Sequence, residues 1–310
     1  MLDPKHLEAL AAVVDSGGFD KAAERLFITQ SAVSQRIRQL EERLGQPVLT
    51  RTLPVGTTAL GRRLLQHYRQ IHLLEAELFD SLETPQQGAG WTRLALGVNN
   101  DSLATWFVAA IAPVCRAERV LIDVVLDDQD YTLELMRQGH VLACVSTRPR
   151  PVQGGDCLPL GVMRYHGMAS PDFARRHFPD GPRAERFAAA PAIVFSAKDD
   201  MQTEYLARVA GYRGDYPRLT LPSPQSILEA VRLGLGWSMV PASMAQPALA
   251  AGELLDLAPG HTIDLALYWH RWRGESRLMR TLAAALEHAC RAALLPIENE
   301  DLPGPDAVIR

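Results

Sequence analysis

Residues 19–51 read FDKAAERLFITQSAVSQRIRQLEERLGQPVLTR, and this stretch decides the fold. Asp20 to Leu26 has the spacing of a short helix, Phe27 and Ile28 make a tight turn, and the Thr29 hydroxyl suits the N-cap of a second helix. On that second helix Val33, Ile37, Leu40 and Leu44 recur at helical spacing and pack inward, while Ser31, Ser34, Gln35 and Arg38 project from the opposite side. Gln and Arg suit bidentate hydrogen bonds to adenine and guanine edges, and Ser can bond a base or a phosphate. A helix N-terminus rich in hydroxyls also offers free N–H groups to phosphate. An isolated polar stripe is more often an ordinary solvated face. Here the stripe is short, hydroxyl-rich and basic, Ala22 and Ala23 allow close helix contact, and Phe19 anchors the preceding turn. The pair therefore reads as two angled helices, the second a DNA recognition helix, with Gln30 also reaching the groove.

Working outward, Pro4 opens a helix whose Leu7, Leu10, Ala11 and Val14 share one apolar face, and Gly17 and Gly18 end it. After the recognition helix, Gly45 is a stop signal. Gln46 to Thr58 then forms an extended hairpin with Pro54 and Gly56 at its tip, a wing on which Arg51 contacts phosphate. Thr58 caps a long helix running to about Leu82, with Leu60, Leu64, Tyr68, Ile71, Leu74, Leu78 and Leu82 three or four residues apart. That stripe calls for a partner helix, or else for packing onto the same chain's winged helix.

Among helix-turn-helix families the match is specific. Phe19, Ala22, Ala23, Leu26, Gln30, Ser31, Ala32, Val33, Ser34, Ile37, Leu40, Glu41, Leu44, Gly45, Leu49 and Arg51 stand at the spacing of LysR-type transcriptional regulators, which this stretch resembles. Thr50 departs from the pattern, where the family usually has Phe, and this touches only wing packing. The resemblance implies pairing through the long linker helix, so that two recognition helices meet an interrupted DNA dyad as a homodimer or homotetramer.

The chain has 310 residues, enough for about two or three domains with full hydrophobic cores. A formal net charge of −4 is a poor footprint for a protein that coats nucleic acid over its whole surface. Between Lys21 and Arg63, however, Lys21, Arg25, Arg36, Arg38, Arg43, Arg51, Arg62 and Arg63 face only Glu24, Glu41 and Glu42, so any DNA-binding charge is local. Cys115, Cys144, Cys157 and Cys290 form no CxxC pair, which points away from zinc and disulfide scaffolds and toward reduced thiols, with Cys144 in the core. MLDPKHLEAL has no apolar signal core, and no run of about 18 apolar residues exists to cross a membrane, so a soluble cytoplasmic protein is expected.

From Trp91 the pattern alternates strands and helices in βαβαβ order, which predicts a parallel α/β sheet. The expected fold class is α/β: an N-terminal winged helix-turn-helix and long linker helix, then a two-lobed periplasmic-binding-protein-like effector domain. The boundaries expected are 1–58 for the DNA-binding domain, 59–83 for the linker and dimerisation helix, and 84–90 for a hinge. Lobe I covers 91–160 and is completed by 264–295, lobe II covers 161–263, and 296–310 forms a flexible tail.

Ligands of open α/β sheets sit beyond the carboxyl ends of strands. Three loops qualify: Asn99 to Ser102, the pair Asp127 and Asp128, and Asp199–Asp200 ahead of Met201, Gln202 and Thr203. Together they describe a zwitterion pocket with surplus negative charge, although Asp101, Asp199 and Asp200 also suit N-caps, and Ser146 and Thr147 a strand end. NNDSLATW (99–106), DDM (199–201), LYWHRW (267–272) and ESRLMR (275–280) resemble the arginine/lysine-responsive ArgP (LysG) branch of the LysR-type regulators. That likeness implies L-lysine or L-arginine as effector, no cofactor, and target genes that include a basic amino acid exporter. Asn100, Ser102, Asp127 and Asp128 carry over as cleft residues, with Ser146, Asp199 and Thr203 placed beside them. RNA polymerase is a further partner for such an activator or repressor. A rival reading is an architectural DNA binder that inhibits replication initiation and senses nothing. An enzyme is not expected, since GxSxG, GKS or GKT, a strand-borne GxGxxG and HExxH are all missing and the histidines are dispersed.

Overall fold

The structure is a computed structural model describing residues 2–50, 52, 55–81, 91–126, 132–274 and 276–297. The proposed hinge 84–90, the wing tip Pro54, the helix end Leu82, Glu275 and the tail from 298 lie outside the described residues.

Three helices build the reading head: α1 (Pro4–Ser16), α2 (Phe19–Leu26) and α3 (Gln30–Leu44). Asp3 caps α1 by accepting from the Lys5 N–H, Pro4 fills a first-turn position that needs no donor, and Gly17 ends the helix in the left-handed conformation. Leu10, Val13, Ala22, Val33 and Leu40 are buried in one core. The fully buried methyl of Ala22 lets α2 lie close against its neighbours. The wing closes through a bridge between Leu49 and Thr57. Glu41 ties it to α3, its Oε1 accepting the Val48 N–H at 2.8 Å.

Helix α4 (Ala59–Ser81) starts under a double-duty cap. Thr58 Oγ1 accepts the Gly61 N–H at 3.1 Å and donates to the Pro47 carbonyl at 2.8 Å. Gly61 lies so close to the wing that a Cβ there would stand 1.9 Å from the Val48 carbonyl oxygen. The apolar stripe of α4 then divides. Leu64 and Leu65 are buried in the head's own core with Leu60 and Tyr68 at its edge, whereas Ile71, Leu74 and Leu78 are exposed. Further along, Leu73 belongs to the core of the C-terminal half.

That half contains β1 (Thr92–Val98), α5 (Asn100–Ser102), which continues through a π turn at Leu103–Phe107 into α6 (Val108–Ala117), then β2 (Val120–Leu126), α7 (Thr132–Arg137) and β3 (Ala143–Ser146). There follow β4 (Gly155–Ala169), α8 (Pro171–His177), α9 (Ala184–Ala189), β5 (Ala192–Val194), α10 (Met201–Ala210), β6 (Arg218–Thr220) and α11 (Pro224–Arg232). The chain completes with β7 (Ser238–Pro241), α12 (Ala242–Ala250), β8 (Leu255–Asp256), β9 (Thr262–Trp272) and α13 (Arg277–Ala293).

The main sheet has the order β2-β1-β3-β9-β4-β7, with β8 on β4 and a separate β5–β6 pair. A wholly parallel sheet is not what forms. β1, β2 and β3 are parallel, but β9 runs antiparallel to both β3 and β4, and β4 antiparallel to β7. The long strands β4 and β9 pass from one lobe to the other, pairing with β3 at one end and β7 at the other. Periodicity shows only part of each, because Pro159 and Gly161 interrupt β4 where its register against β9 shifts. Gly161 has φ of 148°, and a Cβ there would meet the Leu294 Cβ at 2.7 Å. Helix α9 and strand β8 carry no sequence pattern strong enough to be read beforehand.

The linker helix is fastened to lobe I by a borrowed cap. Glu77 accepts from the Ser276 hydroxyl at 2.5 Å and from the N–H groups of Arg277 at 3.0 Å and Leu278 at 2.9 Å, at the first turn of α13. A carboxylate at a helix N-terminus is favoured both by hydrogen bonding and by the helix dipole.

Candidate DNA-reading face and effector cleft

Thr29 Oγ1 accepts the Ala32 N–H at 3.2 Å and lies 3.0 Å from the Ser31 hydroxyl, so the first turn of α3 is capped by its own hydroxyls. Gln30, Ser31, Gln35 and Arg38 are exposed and Ser34 is half-buried. Other polar groups on α3 are engaged within the head: Arg36 pairs with Glu8 at 3.7 Å, Gln39 with His6 at 3.1 Å, and Glu41 holds the wing. Arg38 has no ion pair among the described residues, which leaves its guanidinium available for a base edge or phosphate. Arg51 lies outside the described residues. Asp15 holds Arg25 at 3.2 Å and Arg69 at 2.5 Å, fixing α2 and α4 against α1.

In the C-terminal half, β1 ends at Val98, and Asn99, with extended backbone, leads directly into α5. Asn99 and Ser102 are buried, and Asn99 Oδ1, Ser102 Oγ and Trp106 Nε1 have no hydrogen-bond partner among the described residues. Buried polar groups are paired in the great majority of cases, so such a concentration asks for an explanation. Asp101 is half-buried, and its Oδ2 accepts the Tyr165 hydroxyl at 2.7 Å. Burial pushes the Asp101 carboxyl up to about 6, and the charge of Asp199 adds to the rise while the Tyr165 hydrogen bond opposes it. Tyr165, on the crossing strand β4, is itself raised well above its ordinary range, first by burial and then by the charge of Asp101.

Asp199 uses both oxygens in its own loop, Oδ2 accepting from Phe195 N–H at 3.0 Å and Oδ1 from Met201 N–H at 3.2 Å. Its charge still reaches Asp101 and Tyr165, so residues of both lobes meet electrostatically at the crossing strand. Gln202 is buried and donates to the Ile193 carbonyl at 3.0 Å, and its Oε1 has no hydrogen-bond partner among the described residues. Thr203 sits with Tyr216, hydroxyl to hydroxyl at 3.1 Å, and lines an open groove with Asp200, Glu204 and Arg208. Ser146 is buried at the end of β3 and accepts the Arg148 N–H at 3.2 Å. Asn100 is half-buried beside Asp101. Asp127 and Asp128 lie outside the described residues. Tyr165 was not among the residues expected from the sequence, since a strand tyrosine carries no local signal, whereas Gln202 falls in the third candidate loop.

No group of three metal-ligating side chains occurs among the described residues. Burial pushes the Cys144 thiol up to about 12, which fits an inert core position. No described helix is long and apolar enough to cross a membrane.

Two family models match the chain: the bacterial regulatory helix-turn-helix protein of the lysR family over residues 4–62, and the LysR substrate binding domain over residues 88–291. The chain belongs to the LysR family. Among LysR-family relatives, the HTH-type transcriptional regulator ArgP of Pseudomonas aeruginosa is 47% identical over 286 residues, 92% of this chain and 95% of the relative. ArgP of Pseudomonas fluorescens is 43% identical over 299 residues, 96% of this chain and 100% of the relative. The crystal structure of ArgP from Mycobacterium tuberculosis superposes with a TM-score of 0.83 at 36% identity, covering 96% of this chain and 100% of that one. Full-length LysG from Corynebacterium glutamicum with bound effector Arg superposes with a TM-score of 0.76 at 34% identity, covering 95% and 100%. The LysR-family fold thus extends over both halves of the chain, and the ArgP relatives are HTH-type transcriptional regulators.

Proposed function

We propose that this LysR-family regulator acts in the cytoplasm as a homodimer or homotetramer on an interrupted DNA dyad, and that its cleft senses a basic amino acid, L-arginine or L-lysine. Gln30, Ser31, Ser34, Gln35 and Arg38 would read base edges in the major groove, with Arg51 holding the wing to phosphate. Ile71, Leu74 and Leu78, exposed on α4, would meet their counterparts on a second copy. Leu64 is already buried within its own chain, with Leu60 and Tyr68 partly covered beside it, and these three would contribute little to that seam.

One observation carries the sensing half: Asp101 stands beside Tyr165 and within reach of the Asp199 charge, and Asn99 Oδ1, Ser102 Oγ and Gln202 Oε1 lack partners among the described residues. An unpaired buried acceptor and a desolvated carboxyl are both unfavourable, and a ligand carrying N–H donors and positive charge relieves both. LysG holding Arg supports the choice of cation. Asp127 and Asp128 would add negative charge from the next loop. Binding there alters DNA affinity only to the extent that the ligand prefers one arrangement of the lobes. Contacts with RNA polymerase and control of a basic amino acid exporter would complete the role.

Calorimetric titration tests the reading. L-arginine or L-lysine is expected to give saturating heat at physiological concentrations, while L-citrulline, of nearly the same shape but uncharged, gives little. Absence of heat from all three overturns the sensor and leaves the architectural DNA binder.

A further inference from the structure

Phe27, in the turn between α2 and α3, breaks two rules at once. Its residue is 95% exposed, the most exposed large apolar group among the described residues. It is also the one described non-glycine residue with positive φ, at 54°. The backbone conformation has an evident use, since the Phe27 N–H reaches the Glu24 carbonyl at 3.2 Å and the Ile28 N–H the Ala23 carbonyl at 3.1 Å, closing the end of α2. Glycine or asparagine would close it without the steric penalty a β-carbon meets there. The phenyl ring therefore serves neither the cap nor the core.

Its surroundings identify what covers it. Thr29, the N-cap of α3, follows two residues later, and two residues of chain span at most about 7 Å. The ring thus stands at the same end of α3 as Gln30 and Ser31, the end offered to the groove, and two residues along the chain from the exposed Arg25, which pairs with Asp15 at 3.2 Å. A second copy of this chain is a poor occupant, because the exposed residues flanking Phe27 in sequence are Glu24, Arg25, Thr29 and Gln30 rather than further apolar side chains. Duplex DNA fits. It supplies phosphates for the helix N-terminus, and apolar deoxyribose and thymine 5-methyl groups at the groove edge for the ring.

We propose that Phe27 is a DNA contact of this chain, its ring packing on deoxyribose and a thymine methyl at the rim of the major groove that α3 enters. This rests on the assignment of α3 as the reading helix. Phe27 then contributes a preference for thymine at one position flanking the bases read by Gln30 to Arg38.

The test uses the full-length chain and duplexes selected by the wild-type protein from a random-sequence pool. Phe27→Asn, which keeps the left-handed cap, is compared with Arg38→Ala by fluorescence anisotropy, on each duplex and on its copy with deoxyuridine in place of thymine. Phe27→Asn is expected to bind the thymine duplex about tenfold more weakly, to show a smaller response to deoxyuridine than wild type, and to unfold at the same or a higher temperature. Wild-type affinity and an unchanged deoxyuridine response in Phe27→Asn overturn the proposal, while a loss in Arg38→Ala alone keeps the reading helix intact. No loss in either variant overturns both. A shift of Phe27→Asn toward monomer in sedimentation, with unchanged DNA affinity of the dimer, would assign the ring to a second copy and equally overturn the DNA contact.

Discussion

The most discriminating expectation concerns pH and Asp101. In the ligand-free chain its carboxyl titrates at about 6, against an ordinary value of 3.8, chiefly because of burial. At pH 5 about one carboxyl in ten is ionised, and at pH 8 nearly all are. A cationic amino acid needs the ionised form, so at pH 5 its binding must first expel the proton. The affinity for L-arginine should therefore fall about tenfold between pH 8 and pH 5, or about 1.4 kcal/mol. Calorimetry in buffers of different ionisation heat should count close to one proton released per site at pH 5 and close to none at pH 8. Asp101→Asn should bind arginine weakly and lose the slope. Stability should run the other way. A carboxyl whose folded-state pKa is raised favours the fold when protonated, and that contribution is complete below about pH 4 and lost as pH rises through about 6. The protein should then be less stable at pH 8 than at pH 4, as far as this group goes, by about 2 kcal/mol. Asp101→Asn should recover part of that at pH 8. An affinity for arginine that is flat from pH 5 to 8, with no proton released, would refute the assignment of Asp101 to the effector.

Three further expectations come from the geometry. Arg38→Ala should weaken binding to selected duplexes by about 1 to 3 kcal/mol and relax base preference at one position, checked by anisotropy against a panel of single-base changes. Gly61→Ala puts a methyl 1.9 Å from the Val48 carbonyl oxygen, so the wing and linker helix must separate. A loss of more than about 2 kcal/mol is expected in denaturant unfolding, together with weaker DNA binding. Leu64→Ala and Leu78→Ala should part company: the first, in the core of the head, lowers stability by about 2 to 5 kcal/mol. The second, at an exposed position, leaves the monomer fold intact and weakens self-association, as sedimentation equilibrium would show.

The amino-acid sequence by itself determined the reading head, because everything that makes it is local. The Thr29 cap, the inward series Val33, Ile37 and Leu40, and the outward Ser31, Gln35 and Arg38 all follow from a 3.6-residue period, and the structure keeps them in those roles. The ends of β1 and β2, and the helices around Pro171 and Met201, were legible for the same reason. The proposed effector cleft was legible only in pieces. Asp101 and Tyr165 stand 64 residues apart and meet because β4 crosses between the lobes, a strand whose pattern shows only from Met163 onward, since Pro159 and Gly161 interrupt its first half. The tertiary structure alone decided which polar atoms stayed without partners, since Asn99, Ser102 and Gln202 look no different in sequence from residues whose hydrogen bonds are complete. It alone decided how the α4 stripe is divided, too. Leucines spaced alike along one helix are covered or bare according to what the fold brings beside them, and a periodic sequence records the spacing but not the neighbour.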